Sequence, residues 1–589
     1  MPADEVRRII CEANIRSDGE FKDLTDDIVT KIVTNWRKIF AILILVGKMT
    51  AIKGLINDGI DDRCLPFWRA KDHRTLLYRS PDDDSVKTVE SIRVGTDDWS
   101  LSNLESFSVT CQWQVLVPSF DIDCPCDGYL TSQVEPHRLF PRHHIMPFID
   151  NDNVGIGDDA DGVRRFPIPS CYEVKKLYIH PAHRNRCRHP QTPTCRTTPF
   201  AVKLINGAVK ENKEVALKEM DTLRRFDTTP RPKFARRIIR LLCSFEYQNT
   251  FYLIFPFADA NLEQFWKEIF PSVEDLPRGP DLARWVVGEV LGLVRGLHLI
   301  HNAPTKNATH KPNGRHGDIK PQNILWFRGE KDPELAAHDE TLGMLKICDF
   351  GITDFRSDVS VSRVNAYTVP RTDAYRAPEC ELGPEGRTSQ KYDAWSLGCV
   401  LLYFVSWYAQ GWDEGIDAFT DRQRSPMKTV NGTAVLYGSN FFQIVDGRFE
   451  MNSAVDEQIK MLRTHPNCNC PLFGEILDII EKDLLRLDRD ERARSDELVT
   501  RLEKIYDKCC SPVEDSDYLT PKKAIDPRPE AVEEELAVTT TAVQTVGNGV
   551  VPPKAALGVI AESVPDKMSV RLRKENWIQR ILTFLRALL

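Results

Sequence analysis

The chain has 589 residues, 42% of them hydrophobic and 28% charged, with a formal net charge of -8 at pH 7. That length exceeds one ordinary core, so two or more folded units are expected. The acidic balance argues against a dedicated nucleic-acid binder, which carries a basic excess, and no nucleic-acid partner is expected.

The N-terminus, MPADEVRRIICEANIRSDGE, has no charged segment leading into an apolar run and small-residue cleavage site, so an intracellular, cytoplasmic setting is the expectation. Leu24, Ile28, Ile32, Trp36 and Ile39 recur at helical spacing. The apolar run Ile39–Val46 is far shorter than the roughly 20 residues of a membrane span and predicts a buried helix, with Phe40, Leu43 and Leu45 in a core. Phe107–Val117, FSVTCQWQVLV, is rich in aromatic and β-branched residues and predicts a strand. Residues 1–150 are taken as a mixed α/β accessory region of unassigned function.

From 151 to 510 the segments run strands, a helix, strands and then mainly helices, which predicts two lobes divided near residue 258. His180, His183, Cys187, His189 and Cys195 offer zinc-type ligands, but their spacing matches no standard finger and an exposed hairpin is expected. Cys124 with Cys126 and Cys468 with Cys470 are weaker pairs, and sixteen cysteines without a disulfide framework fit reduced thiols. Residues 511–569 are rich in Pro, Glu, Thr and Ala, a composition that predicts a disordered linker. The final segment, 570–589, places Trp577, Ile578, Ile581, Leu582, Leu585, Leu588 and Leu589 on one helical face. With Arg571, Arg573 and Lys574 beside it, this helix is a candidate for a membrane-surface or protein contact.

The strongest chemical signal is His316-Gly317-Asp318-Ile319-Lys320-Pro321-Gln322-Asn323, followed by Lys346-Ile347-Cys348-Asp349-Phe350-Gly351. Phosphoryl transfer to a hydroxyl needs a carboxylate to orient the hydroxyl and accept its proton, and oxygen ligands to hold magnesium against phosphates. Asp318 suits the first task, Asn323 and Asp349 suit the second, and Lys320 places positive charge where the transferring group is negative.

In order and spacing these motifs resemble the catalytic loop and metal-binding turn of the eukaryotic-type protein kinase superfamily. The resemblance runs over roughly residues 170–508, extends to uncharacterised fungal serine/threonine kinase-like proteins, and implies an α+β, two-lobed fold that uses ATP and Mg2+. It implies further that Lys203, in FAVKLI, contacts the α- and β-phosphates, that Glu219 is its partner, with Glu214 the alternative, and that Phe257 and Ala258 lie at the adenine-binding hinge. Val215, Leu217, Met220 and Leu223 would form the apolar side of the helix bearing Glu219. Thr372–Glu379 resembles the end of an activation segment and Tyr392–Gly398 the buried helix after it. Glu379, Asp393 and Arg492 are assigned to stability, with Glu379 and Arg492 as a brace. Lys320 with Thr372 matches the serine/threonine pattern.

Two departures stand out. If Tyr172–His180 is the second strand, the turn before it, Phe166–Cys171, has two prolines and no glycine. The other candidate for the phosphate-covering loop, Gly155–Gly162, carries three aspartates. Gly317 stands where an arginine often pairs with a phosphorylated activation loop, which implies that phosphorylation of Ser357, Ser360, Ser362 or Thr368 is not the main switch. The expected function is Mg-ATP-dependent phosphorylation of serine and threonine hydroxyls on a protein substrate. The alternative is a pseudokinase scaffold with a degenerate loop.

Overall fold

Strand alternation organises the first half of the structure. In Phe200–Asn206 and Thr250–Pro256, residues 200, 202, 204, 252 and 254 enter one apolar cluster, while 205, 251, 253 and 255 enter another on the opposite face. The computed structural model describes Arg7 and residues 26–94, 99–123, 136–149, 157–158, 164–165, 172–186, 197–228, 232–272, 274, 276, 279–303, 314–335, 342–351, 354–355, 373–385, 389–424, 429–430, 433–434, 441–445, 448–511 and 518–519. One unit spans Thr25–Lys523; the other, residues 1–24 with 524–589, lies outside the described residues except for Arg7. The linker and C-terminal helix expected at 511–569 and 570–589 therefore fall almost wholly outside them.

The chain begins with α1 (Asp26–Asn35), α2 (Arg37–Val46) and α3 (Ile52–Asn57), then a small antiparallel sheet of β1 (Trp68–Arg69), β2 (Thr75–Arg79) and β3 (Val86–Arg93). Ile39 to Ile44 are buried within α2, as the apolar run predicts. Among the described residues no helix is long and apolar enough to cross a membrane. Phe107–Val117 is not a strand. A capping box between Ser100 and Asn103 starts α4 (Leu101–Glu105), and the helical path continues to Val115. Phe107, Cys111 and Val115, four residues apart, are buried on it, so helical period overrides the strand-forming composition.

A six-stranded sheet follows, built from β5 (Arg138–Phe140), β6 (Phe148–Ile149), β9 (Tyr172–Ile179), β11 (Phe200–Asn206), β12 (Cys243–Tyr247) and β13 (Thr250–Pro256). Its order is β5-β12-β13-β11-β9-β6. The intervening β4 (Phe120–Asp123) and β10 (Arg184–Arg186) pair with each other, as do β7 (Gly157–Asp158) and β8 (Arg164–Arg165). Two of the six sheet strands thus come from before residue 150, and Phe120, Ile122, Phe140, Met146 and Phe148 cover one sheet face. A boundary at 150 cuts through this sheet and through the connection between β6 and β9. The strands that cross it are only two and three residues long and leave no periodic signal.

The other face receives α5 (Lys210–Arg225). Its inward residues are Ala216, Glu219, Met220 and Leu223, whereas Val215 and Leu217 are exposed. The i, i+3, i+4, i+7 stripe is set by the requirement that Glu219 face the sheet.

Beyond β14 (Ala260–Asn261), the long α6 (Pro280–His301) and α7 (Gln390–Gly411) are buried around nearly their whole circumference. Between them lie β15 (Gly314–Arg315), β16 (Ile324–Phe327), β17 (Met344–Ile347) and β18 (Asp354–Phe355), and α8 (Ser453–Thr464), α9 (Pro471–Asp478) and α10 (Ser495–Cys509) complete the helical part.

His183 is buried at 7% exposure and donates from Nδ1 to the carbonyl of Pro118 at 3.1 Å. Burial, with His180 nearby, pushes its pKa down to about 4. The unfolded chain then binds a proton between pH 6.5 and 4 that the fold excludes, so stability is full above that window and falls as pH drops through it. About 3 kcal/mol is expected to go by pH 4. In urea unfolding, the gap between wild type and His183→Gln is expected to shrink by that amount from pH 7 to pH 4; an unchanged gap would refute this assignment.

Candidate active site

Lys203 faces inward from the centre of β11. Its Nζ donates to both Glu219 oxygens at 2.9 and 2.8 Å, and to Oδ1 of Asp349 at 2.8 Å. Burial alone would lower the lysine's pKa, but the Glu219 and Asp349 carboxylates hold it above its ordinary value. Burial likewise would raise Asp349, and the Lys203 ammonium holds it below the usual carboxylate range. Burial pushes Glu219 up, against the pull of Lys203. Glu214, the alternative partner, is exposed and lies 4.0 Å from Lys210.

The loop between β15 and β16 carries the second group. Both Lys320 Nζ, at 2.7 Å, and Asn323 Nδ2, at 2.8 Å, donate to Oδ2 of Asp318. Among the described residues no hydrogen bond reaches Oδ1. Asn323 Nδ2 also donates to the Asp318 carbonyl at 2.9 Å.

Asp393 fixes this loop from below. It accepts from the main-chain N–H groups of His316 and Gly317, each at 2.8 Å, and meets His301 Nε2 at 3.0 Å. Burial would raise its pKa, but the hydrogen bond and charge of His301, with the other donors, hold it below the ordinary value. Gly317 has φ +87°, a left-handed backbone that lets two successive N–H groups converge on one carboxylate. The arginine expected at this position by resemblance would be strained there.

His316 has a role that the pattern of chemistry-bearing residues alone does not signal. Its Nε2 donates to the Cys348 carbonyl at 3.0 Å and its Nδ1 accepts from the Asp318 N–H at 3.2 Å. The Cys348 N–H donates to the Asn323 carbonyl at 2.9 Å. The peptide just before Asp349 is thereby pinned to the loop holding Asp318, and Asp349 adopts φ +64°. The available signal was histidine two residues before Asp318, within reach of its own loop.

Phe257 and Ala258 lie just past Pro256, where the β11–β13 ladder ends, so their main-chain groups are outside that ladder. Phe257 is partly exposed with Lys176 Nζ 5.4 Å from its ring, and Ala258 packs against the core. Glu379 and Arg492 form a buried two-fold ion pair at 2.9 Å in each arm.

Most residues of both proposed phosphate-loop stretches, Gly155–Gly162 and Phe166–Cys171, lie outside the described residues. The ends of their shared connection do not: β6 and β9 are antiparallel neighbours, with β7 and β8 paired between them. Cys187, His189 and Cys195 also lie outside, and no cluster of three or more metal-ligating residues occurs among the described ones.

A protein kinase domain model matches residues 192–500, just over half of the chain. The chain belongs to the protein kinase family. Among curated relatives, Cyclin-dependent kinase-like 5 of Mus musculus is 27% identical over 219 residues, 37% of this chain and 18% of that protein. Serine/threonine-protein kinase RCK2 of Saccharomyces cerevisiae is 22% identical over 406 residues, 60% of each chain. Serine/threonine-protein kinase srk1 of Schizosaccharomyces pombe is 27% identical over 206 residues, 31% of each. The chain spans between 18% and 60% of the length of these relatives. The kinase match and the fungal likeness agree with the motifs quoted above.

Proposed function

We propose that this kinase-family chain is a Mg-ATP-dependent serine/threonine protein kinase that transfers the γ-phosphate of ATP to protein hydroxyls. The observation carrying this reading is the contact of Lys203 with both Glu219 and Asp349, made while Asp349 is tied through Cys348 to the loop bearing Asp318.

The residues present fit the cofactor. Asp349 and the side-chain oxygen of Asn323 are hard oxygen donors suited to Mg2+, and Lys203 is held fully protonated for phosphate. When bound, Mg2+ supplies charge neutralisation along the phosphates. Asp318 accepts the substrate hydroxyl's proton through Oδ1, oriented by Lys320 and Asn323 on Oδ2. Lys320 adds positive charge beside the transferring group. Phe257 and Ala258 offer adenine main-chain groups that lie outside the β11–β13 ladder. Lys320 and the names of RCK2 and srk1 support serine/threonine specificity.

Titration with a fluorescent ATP analogue is expected to show binding that Mg2+ strengthens in wild type, with that strengthening lost in Asp349→Asn. Equal Mg2+ response in both proteins would sink the metal role of Asp349.

A further inference from the structure

The β9–β11 register places Tyr172 opposite Ile205 and Val174 opposite Lys203. Cross-strand partners share a face, so Tyr172 and Val174 project on the same side as the Lys203 ammonium. Both are 61% exposed, although the neighbouring Ile205 on that face is buried. Leu177 and Ile179, on the opposite face of β9, are buried as well. A large ring left in solvent beside the most strongly paired lysine of the site calls for an explanation.

The ring of Tyr172 has its centroid 5.5 Å from Lys203 Nζ. An ammonium has three hydrogens, and here Glu219 Oε1, Glu219 Oε2 and Asp349 Oδ1 lie within 2.9 Å to receive them. A phosphate oxygen paired with an ammonium approaches to about 2.8 Å. A ring centred 5.5 Å from Nζ stands within reach of the rest of such a phosphate. We propose that Tyr172 is a gate on the phosphate subsite: its ring covers the Lys203 ammonium and gives way when nucleotide phosphate arrives.

This rests on the nucleotide-binding reading and adds a side chain that tunes it. The ring has somewhere to go, because most of its surface already faces solvent and its side chain can turn about χ1. The attraction to be displaced is a cation–π contact at an exposed site, which sets a modest effect. Removing the ring is therefore expected to tighten nucleotide binding about two- to fivefold. Removing only the hydroxyl is expected to leave it unchanged.

The test is equilibrium titration of Mg-ATP, by calorimetry, into the full-length chain as wild type, Tyr172→Ala and Tyr172→Phe. Thermal unfolding midpoints should coincide, since Tyr172 is exposed. Tighter binding confined to Tyr172→Ala supports the gate, as does binding by Tyr172→Ala alone. Measurable wild-type binding that is unchanged or weaker in Tyr172→Ala overturns the gate and leaves the kinase reading standing. Weaker binding in Tyr172→Phe also overturns it, by making the hydroxyl a phosphate ligand. No binding by any of three folded proteins overturns both.

Discussion

Asp318→Asn is expected to lower the phosphoryl-transfer rate by about 10²–10⁴-fold, the usual range for loss of a general base. The substitution keeps the shape of the side chain and an acceptor for Lys320 and Asn323, which now donate to Oδ2 at 2.7 and 2.8 Å. What disappears is the negative oxygen Oδ1, which alone can take the hydroxyl proton. Nucleotide affinity should change little, because Lys203, Glu219 and Asp349 are untouched. The check is single-turnover transfer beside nucleotide titration. A rate within about fivefold of wild type would remove Asp318 from the chemistry. A matching loss of nucleotide affinity would make its role one of folding the loop.

The second large effect is on stability. Arg237, 1% exposed, donates from Nη1 to Glu289 at 2.7 Å and from Nε to Asp332 at 2.8 Å. Glu289, fully buried on α6, also accepts the Leu345 N–H at 2.6 Å, so the cluster holds β17, the strand leading to Asp349. The guanidinium fits only because α6 carries glycine at 292: a Cβ there would stand 2.1 Å from the Arg237 Cζ. Removing one partner of a buried ion pair leaves an uncompensated charge and costs about 3–5 kcal/mol. Glu289→Ala is expected to lose that much in urea unfolding, and Gly292→Ala to be similarly damaging because the arginine has no room to shift. A loss below about 1 kcal/mol for Glu289→Ala would mean that Arg237 finds solvent or another partner. Replacing Arg237, Glu289 and Asp332 together by apolar residues of similar volume should recover most of the loss.

The parts of this site that the sequence made legible are those in which residue type is dictated by chemistry and spacing by one short loop. Asp318, Lys320 and Asn323 sit within six residues of one another and come together in the structure. Lys203 and Glu219 were legible for a related reason, since a strand lysine and a facing helix glutamate lie only one connection apart. Features set by long-range pairing were not legible. The strands at 138–140 and 148–149 gain their identity from β12 and β9, over 102 intervening residues (141–242) in the first case, and so the accessory region merges into the sheet where a boundary was expected. The composition of Phe107–Val117 points to a strand, whereas the capping signal of Ser100 and Asn103 points to the helix that forms. The exposure of Val215 and Leu217 could not be known before the direction of Glu219 fixed the rotation of α5. Tyr172 was hidden because its proximity to Lys203 depends on a strand register.

Catalysis by a Mg2+-dependent kinase centre is tested most directly by transfer of labelled γ-phosphate from ATP to serine- and threonine-containing peptides by the full-length chain. Transfer that requires Mg2+ and disappears in both Asp318→Asn and Asp349→Asn is the result expected. Folded wild type that neither binds Mg-ATP nor transfers phosphate would contradict the account and favour a scaffold built on the kinase fold.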